Sequence, residues 1–239
     1  MATVILVRHG RTTANASGML AGRQAGVRLD EEGVRQARAA AERLADVPLA
    51  AVVSSPLERC EQTARLLLER QAEAPALETD ERLTECDYGD WQGRKIADLA
   101  KEDLWRTVQQ HPSAAVFPAG ESLAAMSARA VAAVRERDAA VEAVSGPQAV
   151  WAAVSHGDVI KAILADALGT HLDQFQRIVA DPASVSMVRF AAGRPFVLGV
   201  NTHAGDLAWL AAGPATEAPA QDAVVGGGAG PATVAGART

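Results

Sequence analysis

Cysteine is scarce in this chain: among 239 residues there are only Cys60 and Cys86, without metal-ligand spacing. That pair excludes a disulfide framework and argues against a zinc site, so no metal is expected and a cytoplasmic setting is. Long apolar runs are also missing. No window holds the roughly 20 uninterrupted apolar residues of a membrane span, and the first apolar run starts almost at Met1, leaving no room for a signal peptide. Net positive charge is absent, the formal balance being −6. Nucleic acid usually demands a broad basic face, so neither nucleic acid nor membrane is an expected partner. Internal repeats are not apparent. What is present is a length and a 49% hydrophobic content sufficient for one large core.

The most informative stretch is residues 4–15, where an apolar strand ends abruptly in Arg8, His9 and Gly10. A run of β-branched and leucine residues reads as a strand buried on both faces, and open α/β sheets bind ligands beyond the carboxyl ends of such strands. Residues 149–158 repeat the arrangement, with a second apolar strand breaking at Ser155, His156 and Gly157. Either histidine alone reads as a hydrogen-bonded residue at a strand terminus. Two placed alike point to a shared crevice.

A third strand, 50–54, runs into Ser55, Pro56, Leu57, Glu58 and Arg59. Ser55 reads as a helix N-cap, Pro56 as the first helical residue and Glu58 as the return partner of a capping box. Arg59 then lies in the first or second turn, near free backbone N–H groups and the positive end of the dipole. An arginine there can simply bridge to a surface carboxylate. Together with Arg8, His9 and His156, however, it concentrates donors that match a phosphoryl group, and an acidic chain makes that local cationic cluster more telling. A small phosphorylated metabolite is therefore the expected partner.

These residues resemble the histidine phosphatase superfamily, also called phosphoglycerate mutase-like. Arg8, His9 and Gly10 with Thr12 and Asn15 match its first motif; Ser54, Ser55, Pro56, Leu57, Arg59, Gln62, Thr63 and Ala64 match its second; Ser155, His156 and Gly157 match its third. The resemblance covers roughly residues 1–205, and the joint occurrence in this order is specific where one motif would not be. It implies an α/β three-layer sandwich with a mostly parallel central sheet flanked by helices. It also implies two-step phosphoryl transfer without metal or cofactor, with His9 as nucleophile passing through a phosphohistidine. Arg8, Arg59 and His156 would stabilise the phosphoryl oxygens, with Thr12 and Asn15 as further phosphate or substrate contacts.

A general acid must protonate the leaving oxygen, and the resemblance points to Glu85, two residues after Leu83 and before an aromatic, glycine-rich turn. Crowding with the carboxylates at 81, 87 and 90 would raise its pKa by repulsion. Read from the segment alone, that acidic run could equally be a solvated loop. Asp158, beside the second histidine, is the alternative acid. Mutases of this superfamily that use a bisphosphoglycerate cofactor carry arginine and histidine where this chain has Cys86 and Asp87, so the phosphomonoester hydrolase branch is favoured. A phosphomutase is the alternative, and a non-catalytic phosphate-ligand binding protein a more remote one. The lip after Gly22 and Arg23 looks a residue longer than the common pattern and lacks its usual aspartate.

Along the chain the expected order is strand 3–8, helix 30–45 capped by Asp30, strand 50–54, helix 56–70, and an extended acidic piece at 79–85. Helices near 94–110 and 121–144 follow, then strand 149–155, helix 158–168 closed by Gly169, and a hairpin of strands 184–190 and 195–201 across residues 192–193. Residues 1–211 form the expected domain. Within it, 94–120 is expected to be a partial cap carrying Trp105, His111, Pro112 and Phe117, where specificity would reside. His111, His171 and His203 sit at no strand-to-glycine break and read as surface or packing histidines. Residues 212–239 hold glycine or proline at nine of 28 positions and no aromatic residue, so a disordered tail is expected. The oligomeric state stays open, a homodimer being one option.

Overall fold

The computed structural model describes residues 2–191, 193–205, 225, 226, 228 and 230. Its centre is a six-stranded sheet formed by β1 (Thr3–Arg8), β2 (Leu49–Ser54), β3 (Leu77–Thr79), β4 (Val150–Ser155), β5 (Val185–Ala191) and β6 (Arg194–Thr202). The strand order is β3-β2-β4-β1-β5-β6. The first four run parallel, and the hairpin β5–β6 joins β1 antiparallel. This is the α/β class expected from the alternation of strands and helices, in the three-layer, mostly parallel form that the resemblance implies.

Period-two alternation in the strands sorts the core into two layers. Val4, Leu6, Val53, Trp151 and Ala153 pack with one cluster, while Ile5, Val7, Val52, Ala152 and Val154 pack with the other. On the second face lie α2 (Glu31–Arg43) and α3 (Glu58–Leu68), presenting Ala40, Ala41, Cys60, Ala64 and Leu67. On the first face lie α6 (Leu123–Ser145) and α7 (Gly157–Ala167), presenting Met126, Val134, Ile160 and Leu164. Alanine dominates the buried face of α2, and larger side chains there would force helix and sheet apart.

Several boundaries differ from the sequence reading for local reasons. Asp30 does cap α2, accepting from the Gly33 amide at 2.7 Å. Ser55 does not cap α3, whose N-cap is Leu57 with no side-chain bond. The Ser55 hydroxyl is drawn instead to His156, 2.8 Å away, so the capping-box pattern yields to a tertiary contact. The acidic piece at 79–85 is extended only through Thr79 and then makes a 3₁₀ turn at Glu81–Leu83. The helix expected near 94–110 is broken into α4 (Ile96–Leu99) and α5 (Asp103–Gln110), following α1 (Thr13–Ala16) as the other short helix. Aromatic packing organises that region: Trp105 stacks on Trp91, and Phe117 meets Tyr88 and Trp91 edge-on. No helix among the described residues is long and apolar enough to cross a membrane.

Candidate active site

Strand register brings the signature residues to one level. Arg8 pairs with Ser155 across β1 and β4, and Ser54 pairs with Val154 across β2 and β4. The His9 amide donates to the Ser155 carbonyl at 3.0 Å and the Ser55 amide to the Val154 carbonyl at 2.9 Å. Three neighbouring parallel strands therefore end flush, and each releases its polar residue into the same space. Gly10 permits the sharp departure of β1: a Cβ there would lie 2.3 Å from the Gly33 carbonyl oxygen. Any side chain would push the loop off α2.

The protonation of His9 follows from its partners. Its Nδ1 lies 2.7 Å from the Gly10 carbonyl oxygen, which can only accept, so Nδ1 carries the hydrogen and Nε2 carries the lone pair. Arg59 Nε donates to that Nε2 at 3.3 Å. Burial first, then the Arg59 and Arg8 charges, holds the His9 imidazolium pKa well below the usual histidine value. The result is a neutral imidazole with its nucleophilic nitrogen facing a guanidinium. Arg59 is 2% exposed. Its Nη2 donates to the Gly22 carbonyl at 2.7 Å, and its Nη1 is buried without a hydrogen-bond partner among the described residues. A buried cationic donor of that kind is costly to leave unmatched, which marks this space as one suited to an anion. His156 completes the cluster, its ring 5.2 Å from that of His9, and burial followed by Arg59 keeps it neutral as well.

Glu85 arrives from the opposite side. The Ser155 hydroxyl donates to the Leu83 carbonyl at 2.7 Å, tying the turn after β3 to the end of β4. Glu85 Oε1 accepts from the Cys86 amide at 2.9 Å, and Oε2 lies 4.0 Å from His156 Nδ1. Its pKa is raised to about 7, burial being the main cause and Asp158 the second. The sequence reading expected the carboxylates at 81, 87 and 90 to supply the repulsion. Asp158 does so instead, because Glu81 turns outward with its own loop while Asp87 is engaged by the Gly89 amide and the Gln92 side chain. Asp158 is fully buried and accepts from Tyr88 at 2.8 Å, Lys161 at 3.0 Å and the Gly226 amide at 3.0 Å. All three partners donate, so its carboxylate oxygens are committed within the fold.

All of Arg8, His9, Arg59, Glu85 and His156 thus meet at one pole of the sheet. Thr12 and Asn15 sit in the turn beyond His9 and engage one another: Asn15 Oδ1 accepts from the Thr12 amide and hydroxyl, and Thr12 Oγ1 accepts from the Asn15 amide. That pairing commits the Asn15 oxygen and leaves its NH₂ as the group suited to an anion. His111 and His171 are exposed, and His203 lies 3.2 Å from Asp181.

Two features escaped sequence reasoning. A charged lip surrounds the Glu85 backbone, whose carbonyl accepts from Arg23 Nε at 2.8 Å and Arg129 Nη2 at 3.1 Å. Glu121 bridges those two arginines and also accepts from the Asp87 amide. The only local cue was Glu121 following Gly120; Arg129 stands in an alanine-rich helix with nothing to single it out. The second feature is the tail. Most of 212–239 lies outside the described residues, but the expectation of an unpacked segment does not hold at Val225, Gly226 and Gly228. Val225 is fully buried in the main core. Arg8 donates through Nη1 to Ala180 at 2.8 Å and through Nη2 to the Gly228 carbonyl at 3.0 Å. Backbone polarity, which composition does not register, holds the segment there. Gly226 has a φ of +78°, and a Cβ on it would lie 2.7 Å from Leu20 Cδ1.

A neutral imidazole with a bare ring nitrogen, two buried guanidinium groups and a carboxyl with a pKa near 7 form a set that suits phosphoryl transfer. Comparison with known proteins agrees with that class. The family model described as histidine phosphatase superfamily (branch 1) matches residues 4–203, and the chain belongs to this superfamily. It is 32% identical over 213 residues to a "Probable phosphoglycerate mutase GpmB" of Yersinia pestis (strain Pestoides F), covering 88% of this chain and 95% of that one. Among solved structures, the alpha-ribazole phosphatase from Shigella flexneri matches with a TM-score of 0.72 and 26% identity, covering 86% of this chain and 98% of that one. The mycobacterial glucosyl-3-phosphoglycerate phosphatase matches with a TM-score of 0.73 and 28% identity, covering 84% and 98%.

Proposed function

We propose that the chain hydrolyses phosphomonoesters of small metabolites without a metal, through a phosphohistidine on His9. The observation that carries this reading is the fixed His9 tautomer, with Nε2 bare beside Arg59 and Nδ1–H held by Gly10. Nε2 attacks phosphorus, the bond from phosphorus to the ester oxygen breaks, and Glu85 gives its proton to the departing alkoxide. Arg8, Arg59 and His156 bind the equatorial oxygens, with Thr12 and Asn15 flanking them. Water then attacks the phosphohistidine while the Glu85 carboxylate takes its proton; the P–N bond breaks and inorganic phosphate leaves. Glu85 suits both steps because a pKa of about 7 populates acid and base at neutral pH.

Hydrolysis is favoured over mutase chemistry by positions 86 and 87, where cofactor-dependent mutases carry two cationic groups. Here Cys86 is buried and Asp87 is bound within its own turn. A doubly phosphorylated intermediate gains no attraction from them. Both cysteines are free thiols, which fits a reducing cytoplasm. The deciding experiment is phosphate release from a panel of phosphometabolites in EDTA, run beside a mutase assay on 3-phosphoglycerate. Hydrolysis without isomerisation is expected. Isomerisation that outpaces phosphate release would transfer the chain to the mutase reading, and inertness in both assays would leave a binding protein.

A further inference from the structure

His156 poses a question that His9 does not. A neutral imidazole bears one hydrogen, and His156 assists a phosphoryl oxygen only if that hydrogen is on the nitrogen facing the site. Nδ1 is that nitrogen, since it looks toward Glu85 Oε2 at 4.0 Å, whereas Nε2 faces Ser55 Oγ at 2.8 Å on the β2 side. With Nε2–H instead, His156 would present a lone pair to the anion and repel it.

We propose that Ser55 is a positioning residue that sets the His156 tautomer by donating its hydroxyl hydrogen to Nε2, so that Nδ1–H points at the phosphoryl group. This inference rests on the function proposed above. Ser55 is fully buried, so its hydroxyl must find its partners within the protein. The Leu57 amide donates to Ser55 Oγ at 3.4 Å, which occupies an acceptor position and turns the O–H elsewhere. The remaining neighbour is Cys60. Its thiol donates to the Ser155 carbonyl at 3.5 Å, and its sulfur lies against the ring, 3.4 Å from His156 Nε2 and 3.8 Å from Nδ1. Sulfur is a weak acceptor, so the reverse arrangement would aim the Ser55 hydroxyl at a poor partner and turn the Nδ1 lone pair into the site. The imidazole lone pair is the stronger acceptor on offer.

Nitrogen-15 NMR of histidine-labelled full-length protein at neutral pH reads the tautomer directly. The expected result is a protonated Nδ1 and a bare Nε2 for His156, with the Nδ1 signal moving on addition of inorganic phosphate. Ser55→Ala should scramble or reverse the tautomer and lower kcat for an aryl phosphate about tenfold to a hundredfold, less than removal of a direct oxyanion donor costs. Ser55→Thr, which keeps the hydroxyl, should restore both. An Nε2–H tautomer in the wild type, or a Ser55→Ala protein with unchanged tautomer and kcat, overturns the proposal. Because the NMR reading does not depend on turnover, failure of the phosphatase assignment would be recognised separately, by wild-type protein that releases no phosphate.

Discussion

The two sides of the candidate site are built differently. On the phosphoryl side, Arg8, His9, Ser55 and His156 follow directly from three adjacent parallel strands whose register fixes their relative heights. On the leaving-group side, Glu85, Asp158, Tyr88, Arg23, Glu121 and the Gly226 region come from turns, a lip and a distant segment that meet only through side-chain and backbone bonds. A sheet edge tolerates little change without losing register, whereas loops can be exchanged without disturbing the strands. On the function proposed above, the groups that hold the phosphoryl unit sit on the rigid half, while the proton donor Glu85 and the surroundings of the leaving group sit on the adaptable half. That division fits a superfamily whose solved members carry the names of phosphatases for quite different substrates.

The largest effect should come from breaking the rigid half. His9→Ala is expected to lower kcat by at least about 10⁴-fold and to abolish trapping of radiolabelled phosphate on the protein, with the thermal unfolding midpoint little changed. Activity near wild type would remove His9 as nucleophile. On the adaptable half, Glu85→Gln should cost about 10² to 10⁴ in kcat for alkyl phosphates and much less for aryl ones, whose leaving groups need little protonation. Equal losses on both substrates would point to another acid.

The pH profile sharpens the same contrast. With alkyl substrates, kcat should fall as pH rises through about 7, where the Glu85 proton is lost. His9 is already neutral there, its pKa lying well below the usual 6.5, so the acidic limb should be displaced far down. Stability carries the opposite signature. His9 and His156 are buried neutral, and the unfolded chain takes up protons near 6.5 that the folded one refuses, so their contribution is present above that pH and is lost as pH falls below it. Glu85, protonated from about 7 downward only in the folded chain, pulls the other way over the same range, so urea midpoints of Glu85→Gln at pH 7.5 and 5.5 isolate that loss.

The smallest expected effect is at the tail. Gly226→Val in the full chain should collide with Leu20 and unseat the segment, releasing Arg8 Nη2 from the Gly228 carbonyl. A charge-assisted bond is worth about 1.5–3 kcal/mol, so KM for a phosphomonoester should drop by at most about 10- to 150-fold. A rise in KM would instead make the segment a wall of the substrate pocket.

Much of the phosphoryl side was legible because strand, break and cation occur contiguously: residues 4–10 and 149–157 each spell out their own placement. The leaving-group side was legible only in part. Glu85 was reached through resemblance, and the cause assigned to its pKa was its sequence neighbours, because a linear text shows adjacency and hides Asp158, 73 positions away. Ser55 was misassigned for the same reason. The cap pattern is local and correct as a pattern, but the hydroxyl had a better partner 101 positions along. Arg23, Glu121 and Arg129 gave almost no signal, since surface arginines and glutamates form such networks only when loops bring them together.

Hydrophobic periodicity and short motifs by themselves determined the layered α/β architecture and the residues at its strand ends, because both depend on interactions within a few residues. Tertiary structure decided which nitrogen of His9 is bare, how far the Glu85 carboxyl is pushed up, and which carbonyls Arg8 bonds. Those outcomes are set by burial and by partners remote in the chain, and electrostatics in a desolvated pocket responds to distance in space alone.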